Sequence, residues 1–312
     1  MKYVQLGRTD LEVSQICLGT WLYGGWWWGE VDDKASIGAI RAAREGGINF
    51  FDTADVYGGG RAECLLGEAL EGDDEAIIAT KGGCCFDENF YTHVTNDPAH
   101  LKKACEDSLV RLKRDAIDLY QLHWPEEGTS VVDAVEALRE LQEEGKIRYF
   151  GLSNFGVDAL ETALDTARYE SIQPEYNLLH RDAEAEILPF CEDNEIGVIV
   201  YSPLARGLLT GKFESGWEFG PGDTRAEDPE FIGERFERNL EIVELLKDYA
   251  EQRDCTPTQL SLAWILAHTE VTCAIVGARL DMQIDESVEA IDYPLTLKEV
   301  EEINALVEHM RL

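Results

Sequence analysis

Four residues that could move or hold a proton follow short apolar runs of the sequence. Asp52, Lys81 and His123 each stand at or directly after the end of such a run, and Tyr57 comes five residues after Asp52. A phenol can give its proton to an oxygen that gains negative charge, as a carbonyl oxygen does on reduction, if its pKa falls from near 10 toward the working pH. A lysine ammonium beside Tyr57 would lower that pKa, and the Asp52 carboxylate would keep the lysine charged. An imidazole at His123 would donate a hydrogen bond to the carbonyl oxygen and fix the substrate.

Each of the four residues also has an ordinary structural interpretation when it is taken alone. Asp52 could cap a helix, Tyr57 could be an aromatic residue at a rim, Lys81 could be a solvated charge and His123 a buried core histidine. Their shared position at strand ends favours a common site, because the catalytic groups of a (β/α)8 barrel lie at the carboxyl ends of its strands.

The elements that would position these residues repeat along the whole chain. Short β-branched runs alternate with segments of helical periodicity, which is the pattern of parallel βα units. The predicted strands end near Leu18, Asp52, Thr80, His123, Ser153, Glu175, Tyr201 and Val276. The predicted helices cover 34–45, 62–70, 101–112, 131–144, 158–167, 186–194, 236–253 with 257–267, and 282–291. Such a series predicts an α/β fold, a (β/α)8 TIM barrel.

Both ends of the sequence add an element to this barrel. Residues 3–6 and 11–13 flank a Gly-Arg-Thr-Asp turn and predict an N-terminal β-hairpin. Thr296 and Glu299 form a capping-box pattern, which predicts an extra C-terminal helix over 296–307. Since no Pro/Ser-rich linker divides the chain, we expect a single barrel domain over 1–312, with the irregular stretch 204–234 as a functional loop.

A doubly wound dinucleotide-binding fold is the main alternative architecture. It would need the glycine pattern G-x-G-x-x-G, but the third glycine of a frame that starts at Gly58 is replaced by Glu63. The next strand end offers Thr80 and Lys81 where that fold places a ribose-binding acid. The sequence therefore favours the barrel.

Four ordered segments resemble the aldo-keto reductase superfamily. They are FDTADVYG from Phe51, ATK from Ala79, DLYQLHWP from Asp118 and GLSNF from Gly151. The similarity extends from the N-terminal hairpin to Gln283 or beyond. It implies that Asp52, Tyr57, Lys81 and His123 form the family's catalytic tetrad and that the protein reduces aldehyde or ketone carbonyls, including those of sugars.

The resemblance also implies a nicotinamide cofactor, since no side chain can supply hydride. Ser153, Asn154 and Gln173 would hydrogen-bond its carboxamide, and Tyr201 would stack on its ring. The other implied cofactor contacts are Gly19, Thr20, Ser202, Pro203, Leu204, Gly207, Lys212, Gly277, Arg279, Gln283 and Glu286. Arg279 could pair with a 2'-phosphate, which favours NADP over NAD. Ser287 stands where the family commonly has asparagine, so the adenine contact departs from the pattern.

The first βα loop, 21–29, is rich in aromatic residues. We expect Trp21, Tyr23 and Trp124 to face the substrate as an apolar or sugar-stacking wall, with the other aromatics of the loop packing it. No metal site is predicted, because the cysteines show neither Cys-x-x-Cys spacing nor matching histidine pairs.

Composition limits the partners and the compartment. The chain has 62 acidic and 27 basic residues, a formal net charge of -35, which would repel nucleic acid and anionic lipid. Its composition resembles that of cytosolic proteins from organisms that accumulate molar salt, where a Debye length of about 3 Å screens such repulsion. An acidic protein of an ordinary organism is the alternative.

With neither a signal peptide nor an apolar stretch of membrane-spanning length, we expect a cytoplasmic protein acting on a small molecule. The oligomeric state is left open.

Two other functions fit parts of the sequence. Some aldo-keto reductase folds are cofactor-binding regulatory subunits of membrane channels and keep the tetrad, although the extra N-terminal segment that could act on a channel is not seen here. A barrel metal hydrolase would need a cluster of histidine and carboxylate ligands, and the sequence shows no convincing one. Aldehyde-dependent oxidation of NADPH separates the enzyme from the regulatory subunit.

Overall fold

Eight parallel strands close into a barrel at the centre of the fold, in the spatial order β10, β11, β12, β3, β4, β5, β8, β9. The computed structural model describes residues 1–26, 28–29, 31–86 and 92–311. Its strands are β1 (Tyr3–Gln5), β2 (Glu12–Ser14), β3 (Ile16–Gly19), β4 (Phe50–Asp52), β5 (Ile77–Gly82), β6 (Cys84–Phe86), β7 (Thr92–Val94), β8 (Ile117–Leu122), β9 (Ile147–Ser153), β10 (Ser171–Gln173), β11 (Gly197–Val200) and β12 (Val271–Val276). The predicted (β/α)8 TIM barrel is confirmed.

Side chains fill the barrel interior, so it is a packed core rather than a channel. The inward residues near its lower end include Phe50, Ala79, Leu119 and Ile199, and Leu6 of the N-terminal segment closes this end. The residues that alternate with them along the strands face the surrounding helices, because successive side chains of a strand point to opposite sides. The same alternation carries polar residues inward near the opposite, carboxyl-terminal mouth.

Helices surround the barrel and connect its strands. They are α1 (Asp33–Glu45), α2 (Arg61–Ala69), α3 (Pro98–Leu112), α4 (Val131–Glu143), α5 (Val157–Thr166), α6 (Ile187–Asn194), α7 (Gly233–Glu251), α8 (Pro257–Leu266), α9 (Asp281–Glu289) and α10 (Leu297–Arg311). Polar caps begin several of them: the Asp97 carboxylate accepts from the backbone N–H of His100, and Thr256 forms a capping box with Gln259. Among the described residues, no helix is both long and apolar enough to span a membrane.

Two hairpins lie at opposite ends of the barrel. Strands β1 and β2 form the predicted N-terminal hairpin. Strands β6 and β7 pair near the catalytic mouth, with Cys84 opposite Val94 and Phe86 opposite Thr92. The sequence pattern did not predict this second hairpin, and its turn residues lie outside the described part of the chain.

Candidate active site

A cavity of about 760 Å³ opens at the carboxyl-terminal mouth of the barrel. This size is typical of sites for small molecules and cofactors. Most of the residues singled out from the sequence line its wall: Gly19, Trp21, Asp52, Tyr57, His123, Trp124, Ser153, Asn154, Gln173, Tyr201, Ser202, Pro203, Leu204, Gly207, Lys212, Gly277, Arg279, Gln283 and Glu286.

Lys81 lies under this wall, fully buried, and is held by two oxygens. Its Nζ donates to Asp52 Oδ1 at 2.6 Å and to the Thr53 carbonyl at 2.8 Å. The other carboxylate oxygen of Asp52 accepts from Gln173 Nε2 at 2.9 Å. A buried charge pair persists only when its remaining polar atoms also find partners, and Gln173 supplies that partner here. If Gln173 also contacts a cofactor carboxamide, as predicted, it must do so while its Nε2 donates to Asp52.

Tyr57 stands above Lys81, with the lysine Nζ 5.2 Å from the centre of its ring. Burial raises the pKa of Tyr57 well above its usual value, and the nearby Asp52 carboxylate raises it further. The direction is opposite to the predicted lowering by Lys81. The reason is that Asp52 neutralises the lysine at close range, so the loss of solvent dominates.

His123 faces Tyr57 edge-on, with ring centres 5.7 Å apart. Burial lowers the pKa of His123 well below its usual value, and the charge of Lys81 lowers it further. The imidazole is therefore neutral near pH 7 and can donate one hydrogen bond from one ring nitrogen. Tyr57 and His123 thus bring two neutral donors to one side of the cavity.

A chain of hydrogen bonds runs along the adjacent wall. The hydroxyl of Tyr201 donates to Asn154 Oδ1 at 2.8 Å, Asn154 Nδ2 donates to the Ser153 hydroxyl at 3.0 Å, and that hydroxyl donates to the Gln173 carbonyl at 2.9 Å. Asn154 adopts φ 68°, in the left-handed region that costs energy for residues with a side chain. These bonds hold the polar groups of three neighbouring strand ends in a fixed arrangement.

The opposite end of the cavity is lined by cations. Lys212, Arg225 and Arg279 all line it, and a Cβ built on Gly207 would lie 3.0 Å from Lys212 Nζ and 3.8 Å from Arg225 Nη1. Burial lowers the pKa of Lys212, and the positive charges of Arg225 and Arg279 lower it further. Asp223 accepts from Arg225 at 2.6 and 2.9 Å and balances part of this charge. Such a cluster is suited to the phosphates of a dinucleotide.

Helix α9 begins beside this cluster, and some of its polar groups already have partners. Gln283 Oε1 accepts from the backbone N–H of Arg279 at 2.8 Å, and Glu286 Oε1 accepts from the Thr256 hydroxyl at 2.6 Å. Ser287, the departure from the family pattern, also lines the cavity and donates to the Gln283 carbonyl at 2.8 Å.

Two of the residues predicted to be contacts do not line the cavity. Tyr23 was expected to face the substrate, but it is 1% exposed and its hydroxyl donates to the Ala278 carbonyl at 2.8 Å. Thr20 was expected to touch the cofactor, but its side chain is enclosed as the chain turns directly into a 3-10 helix, Trp21–Gly24. That turn places Trp21 on the cavity wall and sends Tyr23 into the core.

Several lining residues were not singled out as contacts from the sequence: Leu22, Trp28, Val56, Cys84, Thr92, Glu175, Arg206, Thr210, Arg225, Thr258, Ile275 and Val276. The sequence provided some indication that Trp28 lines the cavity, since it belongs to the aromatic loop 21–29. It provided no such indication for Arg225, because an arginine in an irregular acidic segment is expected to be solvated.

Burial raises the pKa of the Cys84 thiol to about 12, so this thiol is a neutral residue of the cavity wall. Within the described residues, no group of three or more metal-binding side chains occurs.

Comparison with known proteins agrees with this geometry over almost the full chain. A sequence profile described as "Aldo/keto reductase family" matches residues 15–308. Aldo-keto reductase YhdN of Bacillus subtilis (strain 168) is 37% identical, covering 99% of this chain and 94% of the relative. An NADH-specific methylglyoxal reductase of Escherichia coli (strain K12) is 34% identical, covering 95% of both.

Solved structures share the fold. Glycerol dehydrogenase AKR11B4 from Gluconobacter oxydans superposes with a TM-score of 0.92 at 35% identity, covering 99% of this chain and 96% of that one. Aldo-keto reductase AKR11C1 from Bacillus halodurans, in its holo form, gives a TM-score of 0.83 at 31% identity, covering 98% of this chain and 96% of that one. With a closed barrel, a tyrosine above a buried lysine–aspartate pair and these relatives, the chain belongs to the aldo/keto reductase family.

Proposed function

We propose that this protein is an NADPH-dependent reductase of aldehyde and ketone carbonyls, open-chain sugars included, with Tyr57 as the proton donor. The observation that carries the proposal is the placement of Tyr57 above the Lys81–Asp52 pair and opposite His123, on the wall of one cavity. Relatives named as a methylglyoxal reductase and a glycerol dehydrogenase support a small, polar carbonyl or alcohol as the reactant.

The side chains divide the chemistry at the carbonyl oxygen between them. The nicotinamide cofactor, when bound, supplies hydride to the carbonyl carbon. Tyr57 gives its proton to the oxygen, and neutral His123 donates a hydrogen bond to the same atom. Lys81, held by Asp52, keeps a positive charge beneath the phenol as its proton leaves. Trp21 and Trp124, which line the cavity, would enclose the substrate.

The proposed cofactor site extends from Tyr201 to the cation cluster. Lys212, Arg225 and Arg279 line its far end, and Arg279 would pair with the additional 2'-phosphate, which supports NADPH over NADH. The E. coli relative that is named NADH-specific supports the opposite assignment. The cations that line this end of the cavity favour a cofactor that carries the additional 2'-phosphate.

Replacing Tyr57 with phenylalanine tests the proton donor. We expect carbonyl reduction in Tyr57→Phe to fall by ~10²- to 10⁴-fold, the usual contribution of general acid catalysis, while NADPH binding measured by fluorescence titration stays within about twofold of wild type. Tyr3→Phe, which removes a hydroxyl from the distant N-terminal hairpin, is the matched control. Near-normal turnover in Tyr57→Phe would remove Tyr57 from this role. If the wild-type protein binds NADPH tightly but reduces none of a broad panel of carbonyls, the regulatory-subunit function is favoured instead.

Arg279→Ala tests the cofactor preference. Loss of a charged partner for the 2'-phosphate should raise the KM for NADPH by ~10-fold or more and change the KM for NADH by less than about threefold. Arg139→Ala removes a comparable charge from the outer helix α4 and serves as the control. Equal effects on both cofactors would contradict the proposed 2'-phosphate contact.

We also propose that residues 1–312 form one barrel domain that works in the cytoplasm of a salt-accumulating organism. The continuous βα series supports the first part, and the net charge of -35 supports the second.

A further inference from the structure

The barrel interior contains polar side chains directly below the catalytic mouth. Strand pairing aligns four residues in one row across neighbouring strands: Lys81 pairs with Gln121, Gln121 with Gly151, and Gly151 with Ser171. Residues paired in a parallel sheet point to the same side of it. Lys81 points inward, because it reaches Asp52 at the mouth, so Gln121 and Ser171 point inward as well.

The alternation of buried side chains gives the same orientation. Leu119, two residues before Gln121, belongs to the interior cluster of the barrel, whereas Tyr120 and Phe150 pack against the helices. A Cβ built on Gly151 would lie 2.1 Å from the Ser171 hydroxyl, so this hydroxyl occupies the space above the glycine. Gln121 and Ser171 thus converge from the two sides of Gly151.

These two side chains are fully buried and lack protein partners. Gln121 and Ser171 are both 0% exposed. Among the described residues, neither the Nε2 nor the Oε1 of Gln121 has a hydrogen-bond partner, and neither does the Ser171 hydroxyl. An unsatisfied buried polar group costs about 1–3 kcal/mol, and most such groups in folded proteins are satisfied. Three such atoms in one place therefore indicate a bound ligand.

The chemistry of the row selects that ligand. An amide and a hydroxyl together offer donors and acceptors but no net charge, so the partner must both donate and accept. The neighbouring Lys81 ammonium disfavours a cation, and the carboxylate of Asp52 disfavours an anion. Complete burial excludes any large solute. Water satisfies all of these conditions, and buried waters typically make about three hydrogen bonds.

We propose that Gln121 and Ser171 bind ordered water inside the barrel beside Lys81, and that this hydrated pair positions Lys81. The lysine has three N–H donors, and Asp52 and Thr53 account for two of them. A polar, hydrated neighbour on the same row fixes the ammonium from the side, where an apolar residue would leave it without support. Gln121 and Ser171 act through Lys81 and are positioning residues. The positioning role rests on the proposed function, whereas the water site does not.

The sign of one stability change tests the water site without any activity assay. Methionine matches the length of glutamine but has no amide. If Gln121 binds water, Gln121→Met breaks those bonds and lowers the thermal unfolding midpoint by a few degrees. If the amide has no partner, the same substitution removes a buried unsatisfied group and raises the midpoint, which would overturn the site. Leu119→Met, one layer below in the same strand, controls for the change in packing.

A double-mutant cycle tests whether the two residues share the water. With a shared water, the midpoint changes of Gln121→Met and Ser171→Ala are not additive, because either change alone disrupts the same network. Additive changes would contradict a shared site. A high-resolution crystal structure of the wild-type protein should show a water within about 3 Å of both side chains, and its absence there would also overturn the site.

The positioning role has a separate readout. In Gln121→Met, kcat for carbonyl reduction should fall about tenfold, while the Kd for NADPH and the KM for the carbonyl stay within about twofold, since the residue touches neither. An unchanged kcat would overturn the positioning role. If wild-type protein reduces no carbonyl, the proposed function fails, yet the unfolding cycle still decides the water site.

Discussion

Tyr57 keeps its proton over a wide pH range, because burial raises its pKa and the charge of Asp52 adds to the effect. Carbonyl reduction consumes the neutral phenol, which is present at every pH below the raised pKa. Alcohol oxidation consumes the phenolate, whose fraction below that pKa grows about tenfold for each pH unit.

We therefore expect reduction, measured as kcat/KM, to stay nearly constant from slightly acidic to mildly alkaline pH, whereas oxidation of the matching alcohol rises steadily with pH. Both profiles should be recorded at one salt concentration with the same cofactor pair. A rate of oxidation that does not depend on pH would show that the phenol is not the titrating group.

His123 makes the folded protein sensitive to mild acid. Burial and Lys81 hold its pKa below the value of about 6.5 that it has in the unfolded chain. As the pH falls through about 6.5 toward the lower folded value, the unfolded chain takes up a proton that the folded chain refuses, so stability is lost.

His123→Asn should consequently lose less thermal stability than wild type between pH 7.5 and 5.5, when unfolding is followed in molar salt. His309→Asn, at an exposed position of α10, is the control and should follow the wild-type curve. Parallel curves for His123→Asn and wild type would contradict the neutral, buried state of this imidazole.

Single residues show where sequence patterns are informative and where they are not. Asp52 and His123 could be placed from the sequence because they lie at the carboxyl ends of strands, and Tyr57 because it follows Asp52 in a short loop at the same mouth. Tyr23 could not, since its direction depends on a 3-10 turn that periodicity does not reveal. The bond from Gln173 to Asp52 joins strands that are far apart in sequence, so nothing local indicated it.

Two irregular segments meet over the cation end of the cavity. Trp28 of the first βα loop forms an isolated antiparallel bridge with Asp223 of the long loop after β11. The Arg225 guanidinium lies 5.0 Å from the Trp28 ring and 5.1 Å from that of Phe219. Arg225 thus joins its own loop to the first βα loop through the ring of Trp28, while its ion pair with Asp223 holds it in place within its own loop.

Arg225→Met should loosen this contact and increase the rate of NADPH dissociation about tenfold, because one charged hydrogen-bonding partner and several ring contacts are lost. Stopped-flow fluorescence measures that rate directly. Arg235→Met, which removes an exposed guanidinium from α7, is the comparison. If both variants release NADPH at the wild-type rate, the two loops do not retain the cofactor.

Helices and barrel strands were predictable to within a few residues because their ends carry local signals. Asp97 followed by Pro98, and Thr256 followed by Pro257, begin α3 and α8. The β6–β7 hairpin was missed because its two short strands are separated by residues 87–91, which contain no glycine or proline, whereas Gly7 marks the turn of the equally short N-terminal hairpin. The hairpin packs against the first βα loop at the mouth of the barrel, where the ring centres of Phe86 and Trp26 are 4.9 Å apart.

At the scale of the whole molecule, the net charge of -35 should make stability depend on salt. Many of the ion pairs are exposed, as between Arg139 and Glu143, and such pairs contribute little. Repulsion among the remaining acids therefore opposes the folded state until ions screen it.

We expect the thermal midpoint to rise by at least ~5 °C between ~0.1 M and ~1 M potassium chloride. Sucrose at equal osmolality separates screening from preferential exclusion, since it carries no charge, and should give a smaller increase. A midpoint that is flat or falls with potassium chloride would contradict the proposed adaptation to salt.

The barrel closes between β12 and β3, where Val276 pairs with Leu18. One edge of β3 therefore stays unpaired until β12 has been synthesised, after about nine-tenths of these 312 residues. Until then, a nascent chain has two unpaired sheet edges, which are templates for pairing with other chains. Completion of this fold thus follows the synthesis of β12, and the negative charge of the growing chain opposes its association with neighbouring chains until then.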